Sequence, residues 1–154
     1  MSPRLAARAV IVHERRLLIV NAYPGRDDLW CAPGGGIEKH QSVPDNLVRE
    51  VHEETGLTVV PGELVLVNEF HAPDHDFHQV ELFFRAALSA GDRTDAGSLD
   101  AGWRDPAGVV AHRRWIDEAE ARRGDVRIKP SSLVDVAFGP PGPPRYDELE
   151  TIVP

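Results

Sequence analysis

The stretch of sequence that decides the fold is residues 35–57, Gly-Gly-Ile-Glu-Lys-His-Gln-Ser-Val-Pro-Asp-Asn-Leu-Val-Arg-Glu-Val-His-Glu-Glu-Thr-Gly-Leu. Its second half predicts a helix over about Val43–Thr55. Ser42 is a favourable N-cap, proline is tolerated in the first helical turn, and Gly56 suits the left-handed position that ends a helix. Apolar residues at helical spacing supply a narrow stripe that can face a core: Leu47, Val48 and Val51.

Three glutamates, Glu50, Glu53 and Glu54, stand at positions i, i+3 and i+4 of that helix, so their side chains share one side of it. Like charges at these spacings destabilise a helix by about a few tenths of a kcal/mol per pair, and the helix dipole is unfavourable to anions near its C-terminal end. Arg49 relieves only part of this repulsion. A divalent cation would compensate the rest, and oxygen ligands favour hard ions such as Mg²⁺ or Mn²⁺. The alternative is a solvated acidic surface.

Residues 35–57 resemble the Nudix box, G-x5-E-x7-R-E-U-x-E-E-x-G-U, in which U is a bulky aliphatic residue. The matching positions are Gly35, Arg49, Glu50, Val51, Glu53, Glu54, Gly56 and Leu57. One position departs from the pattern, because Gln41 stands where the family has its first glutamate. The Trp-x-x-Pro-Gly-Gly lead-in at residues 30–35 and the order of predicted strands are also similar to the family.

The resemblance implies an α/β (α+β) architecture, the Nudix fold, in which a mixed β-sheet is sandwiched between helices. We assign this domain to residues 1–138. Prolines dominate the chain from Gly139 onward, so residues 139–154 are expected to form an extended or disordered tail. Apolar and β-branched runs predict a hairpin from residues 5–12 and 16–22, strands at 63–71, 78–88 and 114–116, and a long loop over 89–111.

In the family, the glutamates that match Glu50, Glu53 and Glu54 bind the catalytic divalent metal, so the resemblance implies a Mg²⁺ site in which Mn²⁺ can substitute. The arginine that matches Arg49 orients them, usually by pairing with the glutamate that is Gln41 here. A glutamine accepts a hydrogen bond from a guanidinium without charge assistance. We therefore predict that Gln41 weakens the support of Arg49 but leaves the metal ligands in place. The alternative is a lineage with slackened catalysis.

The glycine run Gly34, Gly35 and Gly36 is predicted to form a loop beside a metal and a phosphate, because glycine permits a close approach of the backbone. The alternative is a plain strand-to-helix turn. No G-K-[ST] sequence follows, so the run is not a P-loop. The resemblance adds Glu38 as an auxiliary metal ligand.

The resemblance also implies the reaction, which is hydrolysis of the diphosphate linkage in a nucleoside diphosphate linked to another moiety, by in-line attack of a metal-activated water. A general base takes the proton from that water, and Glu53 is the first candidate within the box. Four aspartates of the long loop are candidates that the sequence does not rank: Asp92, Asp95, Asp100 and Asp105. The alternative function is a Nudix-fold nucleotide-binding or regulatory module with weak or no catalysis. A third is a protein that only binds a divalent cation.

Some residues outside the box are candidates for contact with a substrate. Trp103 is our first candidate for stacking on a nucleobase, because a large aromatic in a polar loop has little reason to pack. The other aromatic candidates are Tyr23, Trp30 and Phe70. The histidine-rich tract 71–78 matches no closed zinc site, and it more simply links two strands. Glu81 either faces the metal cleft or only belongs to its strand.

The composition limits the class of protein and partner. With 154 residues, of which 42% are hydrophobic, the chain suits one domain. Its 17 Lys+Arg against 25 Asp+Glu give a net charge of −8, which argues against binding of DNA or RNA duplexes and favours a small nucleotide derivative reached through a metal. The sequence has no apolar run of the roughly 18–20 residues that a membrane span needs, no signal peptide and a single cysteine, Cys31. We expect a soluble, cytoplasmic protein, and a homodimer is compatible with the resemblance.

Overall fold

The chain folds into two β-sheets flanked by helices in the computed structural model, which describes residues 2–94 and 99–152. The strands are β1 (Arg4–Val10), β2 (Val12–His13), β3 (Arg16–Asn21), β4 (Trp30–Cys31), β5 (Gly34–Gly36), β6 (Val59–Ala72), β7 (Phe77–Leu88), β8 (Arg113–Asp117), β9 (Arg145–Tyr146) and β10 (Glu150–Thr151). The helices are α1 (Val43–Thr55), α2 (Ala90–Thr94), α3 (Glu118–Arg122) and α4 (Leu133–Phe138), and a 3₁₀ turn spans Pro73–His75. None of the helices in these described ranges is long and apolar enough to cross a membrane.

Helix α1 begins and ends at the predicted residues. The N–H of Asp45 donates to Ser42 Oγ at 3.1 Å, which is the expected N-cap. At the other end Gly56 has a φ of 76°, and its N–H donates to the carbonyl oxygen of His52 at 2.8 Å. The local sequence signals therefore fix the helix that carries the three glutamates.

The larger sheet is mixed, as the resemblance implied, and has the strand order β10-β6-β7-β1-β5, with β9 also paired to β6. Strand β1 is parallel to β7 and antiparallel to β5, whereas β6 and β7 are antiparallel. The register of the parallel pair places Ala6 opposite Glu81 and Arg8 opposite Phe83. Because side chains alternate between faces, Arg8 and Glu81 lie diagonally on the same face of the sheet.

The predicted hairpin between residues 5–12 and 16–22 is wrong for its first strand. Strand β1 belongs to the larger sheet, and only β2 forms a hairpin with β3, in the smaller sheet of β2, β3, β4 and β8. Glu14 and Arg15, with φ of 50° and 64°, make the two-residue turn. The pairing of β1 with distant β7 carries no signal in the local sequence, so the pattern of β1 alone could not reveal it.

The core lies on both sides of the sheets. On one side, α1 packs against alternate residues of β1 and β3, in a cluster that includes Ala7, Ala9, Ile11, Leu18, Leu47 and Val51. On the other side, α3 and α4 pack against the remaining residues, in a cluster that includes Val10, Leu17, Ile19, Phe83, Ala121 and Leu133. The sheets therefore lie between helices, which gives α1 a fixed position above the strands.

The Pro-rich tail runs along the edge of the larger sheet. Both β9 and β10 are parallel to β6, with Arg145 opposite Leu66 and Glu150 opposite Phe70. The N–H of Ile152 then donates to the carbonyl oxygen of His71 at 2.9 Å. This path brings the last described residues beside the cleft that holds the candidate site.

Candidate active site

A cleft of about 600 Å³ opens where α1, the glycine strand β5 and the ends of β6 and β7 meet. Five residues of the predicted site line it: Gly34, Gly35, Gly36, Glu50 and Glu54. Other lining residues are Arg4, Arg8, Tyr23, Phe70, Gln79 and Ile152. The structure thus brings the glycine run and two of the three glutamates into one cavity.

Glu54 is buried in the wall of this cleft, with 7% of its surface exposed. The N–H of Gly34 donates to its Oε2 at 2.9 Å, so the glycine strand and the helix are joined at this carboxylate. Burial raises the pKa of Glu54 to about 8, against the opposing effect of Arg8 and of the Gly34 N–H. A positive charge in the cleft would favour the ionised form of this carboxylate.

Glu50 lies directly beneath the glycine strand. A Cβ atom on Gly35 would stand 2.5 Å from Glu50 Oε2, so the glycine lets the backbone lie against the carboxylate without displacing it. Burial raises the pKa of Glu50, partly opposed by Arg49, whose Nη1 is 3.1 Å from Glu50 Oε1. Glu50 and Glu54 are therefore two desolvated carboxylates on the same wall.

Glu53 does not line the cleft. Its carboxylate accepts hydrogen bonds from Arg49 Nη1 at 3.2 and 3.3 Å, and it remains about one-third exposed. Across residues 2–94 and 99–152, no three His, Cys, Asp or Glu side chains are arranged to hold a metal ion. The three carboxylates are thus close along α1, but only two of them face the same cavity.

Arg49 is the shared partner of the acidic residues around it. Its guanidinium lies 3.1 Å from Glu50, 3.2 Å from Glu53 and 3.5 Å from Glu38. Gln41 does not contact it, because Gln41 Nε2 donates to Glu38 Oε2 at 3.2 Å. The expected Gln41–Arg49 hydrogen bond is therefore replaced by an ion pair with Glu38, which supplies the negative charge that Gln41 lacks.

In the glycine strand, Gly34 is required by the backbone, whereas Gly35 and Gly36 contact the ends of the flexible side chains Glu50 and Arg4. Gly34 has a φ of 149°, and a Cβ there would stand 2.1 Å from the carbonyl oxygen of Ala7. A Cβ on Gly36 would stand 2.7 Å from Arg4 Nη2. The run is a strand paired to β1 and at the same time the floor of the cleft, so both sequence interpretations describe part of it.

The sequence interpretation missed a buried ion pair that faces the cleft. Arg8 Nε donates to Glu81 Oε2 at 2.5 Å, and Arg8 Nη1 donates to the carbonyl oxygen of Gly34 at 3.1 Å. Burial opposes the charge of Arg8, but Glu81, Cys31 and Glu54 raise its pKa above the ordinary value. The available signal was a charged residue in the middle of an otherwise apolar strand.

Two buried amides accompany that pair. Asn68 Nδ2 donates to Glu81 Oε1 at 3.5 Å, and Gln79 Nε2 donates to Glu81 Oε2 at 3.2 Å. Asn68 is 3% and Gln79 is 2% exposed. Within the part of the chain that the structure describes, neither amide oxygen has a hydrogen-bond partner. No local pattern in the sequence singled out these residues.

The described aspartates of the predicted loop accept hydrogen bonds from backbone N–H groups, so their carboxylates are not free. Asp105 lines the cleft, but it accepts hydrogen bonds from the N–H groups of three residues: Ala107 (3.0 Å), Val109 (3.0 Å) and Val110 (2.8 Å). Asp92 accepts from the N–H of Thr58 at 2.7 Å, and Asp100 accepts from the N–H of Gly102 at 2.8 Å. Asp95 lies outside the described residues.

Trp103 caps the C-terminal end of α1 and is not among the residues that line the cleft. Its Nε1 donates to the carbonyl oxygen of Glu53 at 2.8 Å. Its ring packs on Gly56, where an added Cβ atom would lie 3.0 Å from the nearest ring carbon. His52 meets the same ring edge-on, with 5.1 Å between centroids. The last carbonyls of a helix need donors, which gives this tryptophan the packing reason that the sequence did not show. The aromatic residues that line the cleft are Tyr23, Phe70 and Phe77.

Comparison with known sequences relates the chain to one family. The model of the NUDIX domain matches residues 2–135. A protein of Bacillus subtilis (strain 168), "Putative ADP-ribose pyrophosphatase YjhB", is 29% identical over 93 residues, which are 58% of this chain and 44% of that protein. "Phosphatase NudJ" of Escherichia coli (strain K12) is 28% identical over 72 residues, 47% of each chain. The match therefore spans less than half the length of these two curated relatives.

Comparison with solved structures shows the same fold. A NUDIX hydrolase from Nitrosomonas europaea superposes with a TM-score of 0.67 at 19% identity, covering 88% of this chain and 86% of that one. An ADP-ribose pyrophosphatase from Streptococcus suis 89-1591 superposes with a TM-score of 0.61 at 22% identity, covering 95% of this chain and 100% of that one. At these identities the likeness establishes the architecture alone.

Proposed function

The chain belongs to the Nudix family, and from that premise we propose that it is a divalent-metal-dependent pyrophosphohydrolase. Its substrate would be a small nucleoside diphosphate linked to another moiety, cleaved at the diphosphate linkage. The observation that carries the proposal is the wall of the cleft, where Glu50 and Glu54 lie desolvated against the glycine strand. Two half-buried or buried carboxylates on one wall are costly even with Arg49 and the Gly34 N–H beside them, and a bound cation would compensate them.

The donor set fits a hard divalent cation. Glu50 and Glu54 would hold it from the wall of the cleft, with Glu53 as the further carboxylate on the same helix. Oxygen-only ligands favour Mg²⁺, with Mn²⁺ as a substitute, and Mg²⁺ uses one or two protein carboxylates beside phosphate and water. When bound, such a cation neutralises charge on the diphosphate and lowers the pKa of a water molecule.

The remaining residues of the cleft would bind and orient the substrate. Arg4 gives an acidic protein a positive group along the cavity, where a diphosphate would lie beside Gly34–Gly36, whereas Arg8 is already paired with Glu81. Glu53 is our proposed general base from the motif, because Glu50 and Glu54 would be occupied by the cation. Arg49 holds the Glu53 carboxylate outside the cleft, so Glu53 would have to turn toward the cavity to act. Arg49 is therefore a positioning residue.

The substrate class follows from the chemistry of the cleft and from the relatives. Both a sequence relative and a structural neighbour carry the name ADP-ribose pyrophosphatase. ADP-ribose is accordingly the first compound to assay, followed by dinucleoside polyphosphates, nucleotide sugars, NADH and nucleoside triphosphates. Release of a nucleoside monophosphate would identify cleavage at the diphosphate.

Turnover by the wall variants tests the proposal. We expect Glu50→Gln and Glu54→Gln each to lower kcat by at least about 100-fold with Mg²⁺, because each removes a charge that holds the cation. Glu63→Gln is the matched control, since Glu63 is exposed and pairs with Arg85 away from the cleft. Tight nucleotide binding without turnover of any compound would contradict the proposal and favour the nucleotide-binding module.

A further inference from the structure

One face of the larger sheet continues the cleft inward from the two carboxylates. The register of β6, β7 and β1 puts Asn68 opposite Glu81 and Phe70 opposite Gln79 on that face, with Arg8 beside them. Asn68 and Glu81 line a smaller chamber that shares Arg8, Ala22, Tyr23, Phe70 and Ile152 with the cleft. A ligand whose diphosphate lies at Glu50 and Glu54 can therefore extend into the chamber.

Glu81 fixes how the two amides are turned. A carboxylate accepts hydrogen bonds, so the NH₂ groups of Asn68 and Gln79 must face it, at 3.5 and 3.2 Å. Turning either amide over would set its oxygen against the carboxylate. The salt bridge with Arg8 holds Glu81 itself in place. The amide oxygens are thus held as acceptors that cannot become donors.

Asn68 lines the chamber and Gln79 lines the adjoining part of the cleft, and the oxygens of both amides lack a partner among the described residues. Both Asn68 Oδ1 and Gln79 Oε1 are buried and unbonded within residues 2–94 and 99–152. Buried amide oxygens are costly unless a donor meets them. The inner wall of the chamber carries the rings of Tyr23 and Phe70, and Lys129 and Glu150 lie on the wall as well. A planar aromatic group that carries an NH donor suits both the unpaired acceptors and the rings of Tyr23 and Phe70.

Building on the proposed function, we propose that Asn68 and Gln79 determine specificity by accepting hydrogen bonds from the exocyclic amino group of a nucleobase. The base would lie among Tyr23 and Phe70. A base with a carbonyl at the same position would set oxygen against oxygen and be rejected. Sites built to bond a ligand NH reject analogues without it, since their buried polar groups are then left unpaired.

Binding of matched nucleotides tests this inference. The probes are ADP and IDP, which differ by an amino group against a carbonyl, with CDP and UDP as a second pair, titrated calorimetrically in Mg²⁺. None of these diphosphates carries the second moiety that the proposed reaction releases. We expect ADP to bind at least about tenfold more tightly than IDP, and CDP more tightly than UDP.

The variants Gln79→Met and Asn68→Leu remove the two acceptors. We expect the ADP-to-IDP ratio of affinities to fall below about threefold in Gln79→Met or in Asn68→Leu, because the rejected carbonyl no longer meets an oxygen. The ratio is an internal control for general damage to the protein. Val60→Met, at an exposed position of the same strand as Asn68, is the matched control and should leave the ratio unchanged.

Two results would overturn the inference: equal affinities for the paired nucleotides in the unmodified protein, or a preference that survives in both variants. The first comparison stands even where a variant fails to fold. Turnover is assayed separately on ADP-ribose. Discrimination without turnover would contradict only the proposed hydrolysis, whereas turnover without discrimination would contradict only the role of Asn68 and Gln79.

Discussion

Helix α1 and the sheet face that carries Arg8 and Glu81 border the cleft and the chamber that continues it, but their charges differ. Helix α1 has an excess of carboxylates, whereas the charges on the sheet face cancel. Around α1, Glu38, Glu50 and Glu53 share the cation of Arg49, which is itself partly exposed, and Glu54 lies beyond its reach. On the sheet face, Arg8 and Glu81 form a buried ion pair, and the amides of Asn68 and Gln79 donate hydrogen bonds to the Glu81 carboxylate. The acidic excess on α1 suits a site that gains a cation. The balanced sheet face suits recognition of the uncharged part of a ligand.

Replacing the arginine of each region by methionine should give the largest difference in the free energy of unfolding between the two regions. We expect Arg8→Met to lower the free energy of unfolding by about 3–5 kcal/mol, because it leaves Glu81 as an uncompensated buried charge. Arg49→Met should cost less, about 1 kcal/mol, because two of its three partners, Glu38 and Glu53, are 59% and 34% exposed. Urea denaturation of both variants in chelator measures the difference.

The double variant Arg8→Met/Glu81→Met checks the cause of that loss. With both charges removed, much of the stability should return, since the penalty comes from the unpaired carboxylate. Equal free energies of unfolding for the Arg8 and Arg49 variants would show that the two regions do not differ in burial and charge balance as described.

A substitution of Trp103 tests whether the substrate extends beyond the cleft to the C-terminal end of α1. Trp103→Leu removes the indole from Gly56 and the hydrogen bond to the Glu53 carbonyl, so we expect a loss of about 2 kcal/mol in unfolding free energy. The KM for the substrate should change less than about twofold, because the ring is not among the cleft residues. Stacking on a base would instead raise KM by about tenfold or more.

The partner variant Trp103→Phe separates the two contributions to stability. It keeps an aromatic ring near Gly56 but loses the N–H donor and part of the indole surface, so it should cost about 1 kcal/mol, less than Trp103→Leu. A normal melting curve for Trp103→Leu combined with a large rise in KM would restore the base-stacking role.

The two regions also differ in how far the sequence predicted them. The bounds of α1 were confirmed because Ser42, Gly56 and the helical spacing are signals within a few residues of the helix. The sheet face combines Arg8 with Glu81, 73 residues away, and no local signal pairs strands at that distance. Helix-end contacts have the same limit, since the donor for the Glu53 carbonyl comes from Trp103, 50 residues further along.

The assignment of Glu50, Glu53 and Glu54 to a metal stays a prediction from the motif. What the structure adds is the division among them, because burial and the Gly35 backbone select Glu50 and Glu54 for the cleft wall. Helical spacing places the three on one side of α1, but the elements that cover that side decide which of them share a cavity.

The smallest expected effect concerns Gln41, at the rim of the acidic region. Because Glu38 already pairs with Arg49 at 3.5 Å, Gln41→Glu should change kcat by less than about threefold. In a Glu38→Gln background the same substitution should raise kcat by more, since it then supplies the carboxylate that Arg49 has lost. Steady-state rates of the four proteins in this cycle measure the coupling. A large gain from Gln41→Glu alone would mean that Glu38 does not support Arg49, and that the glutamine at this position limits catalysis.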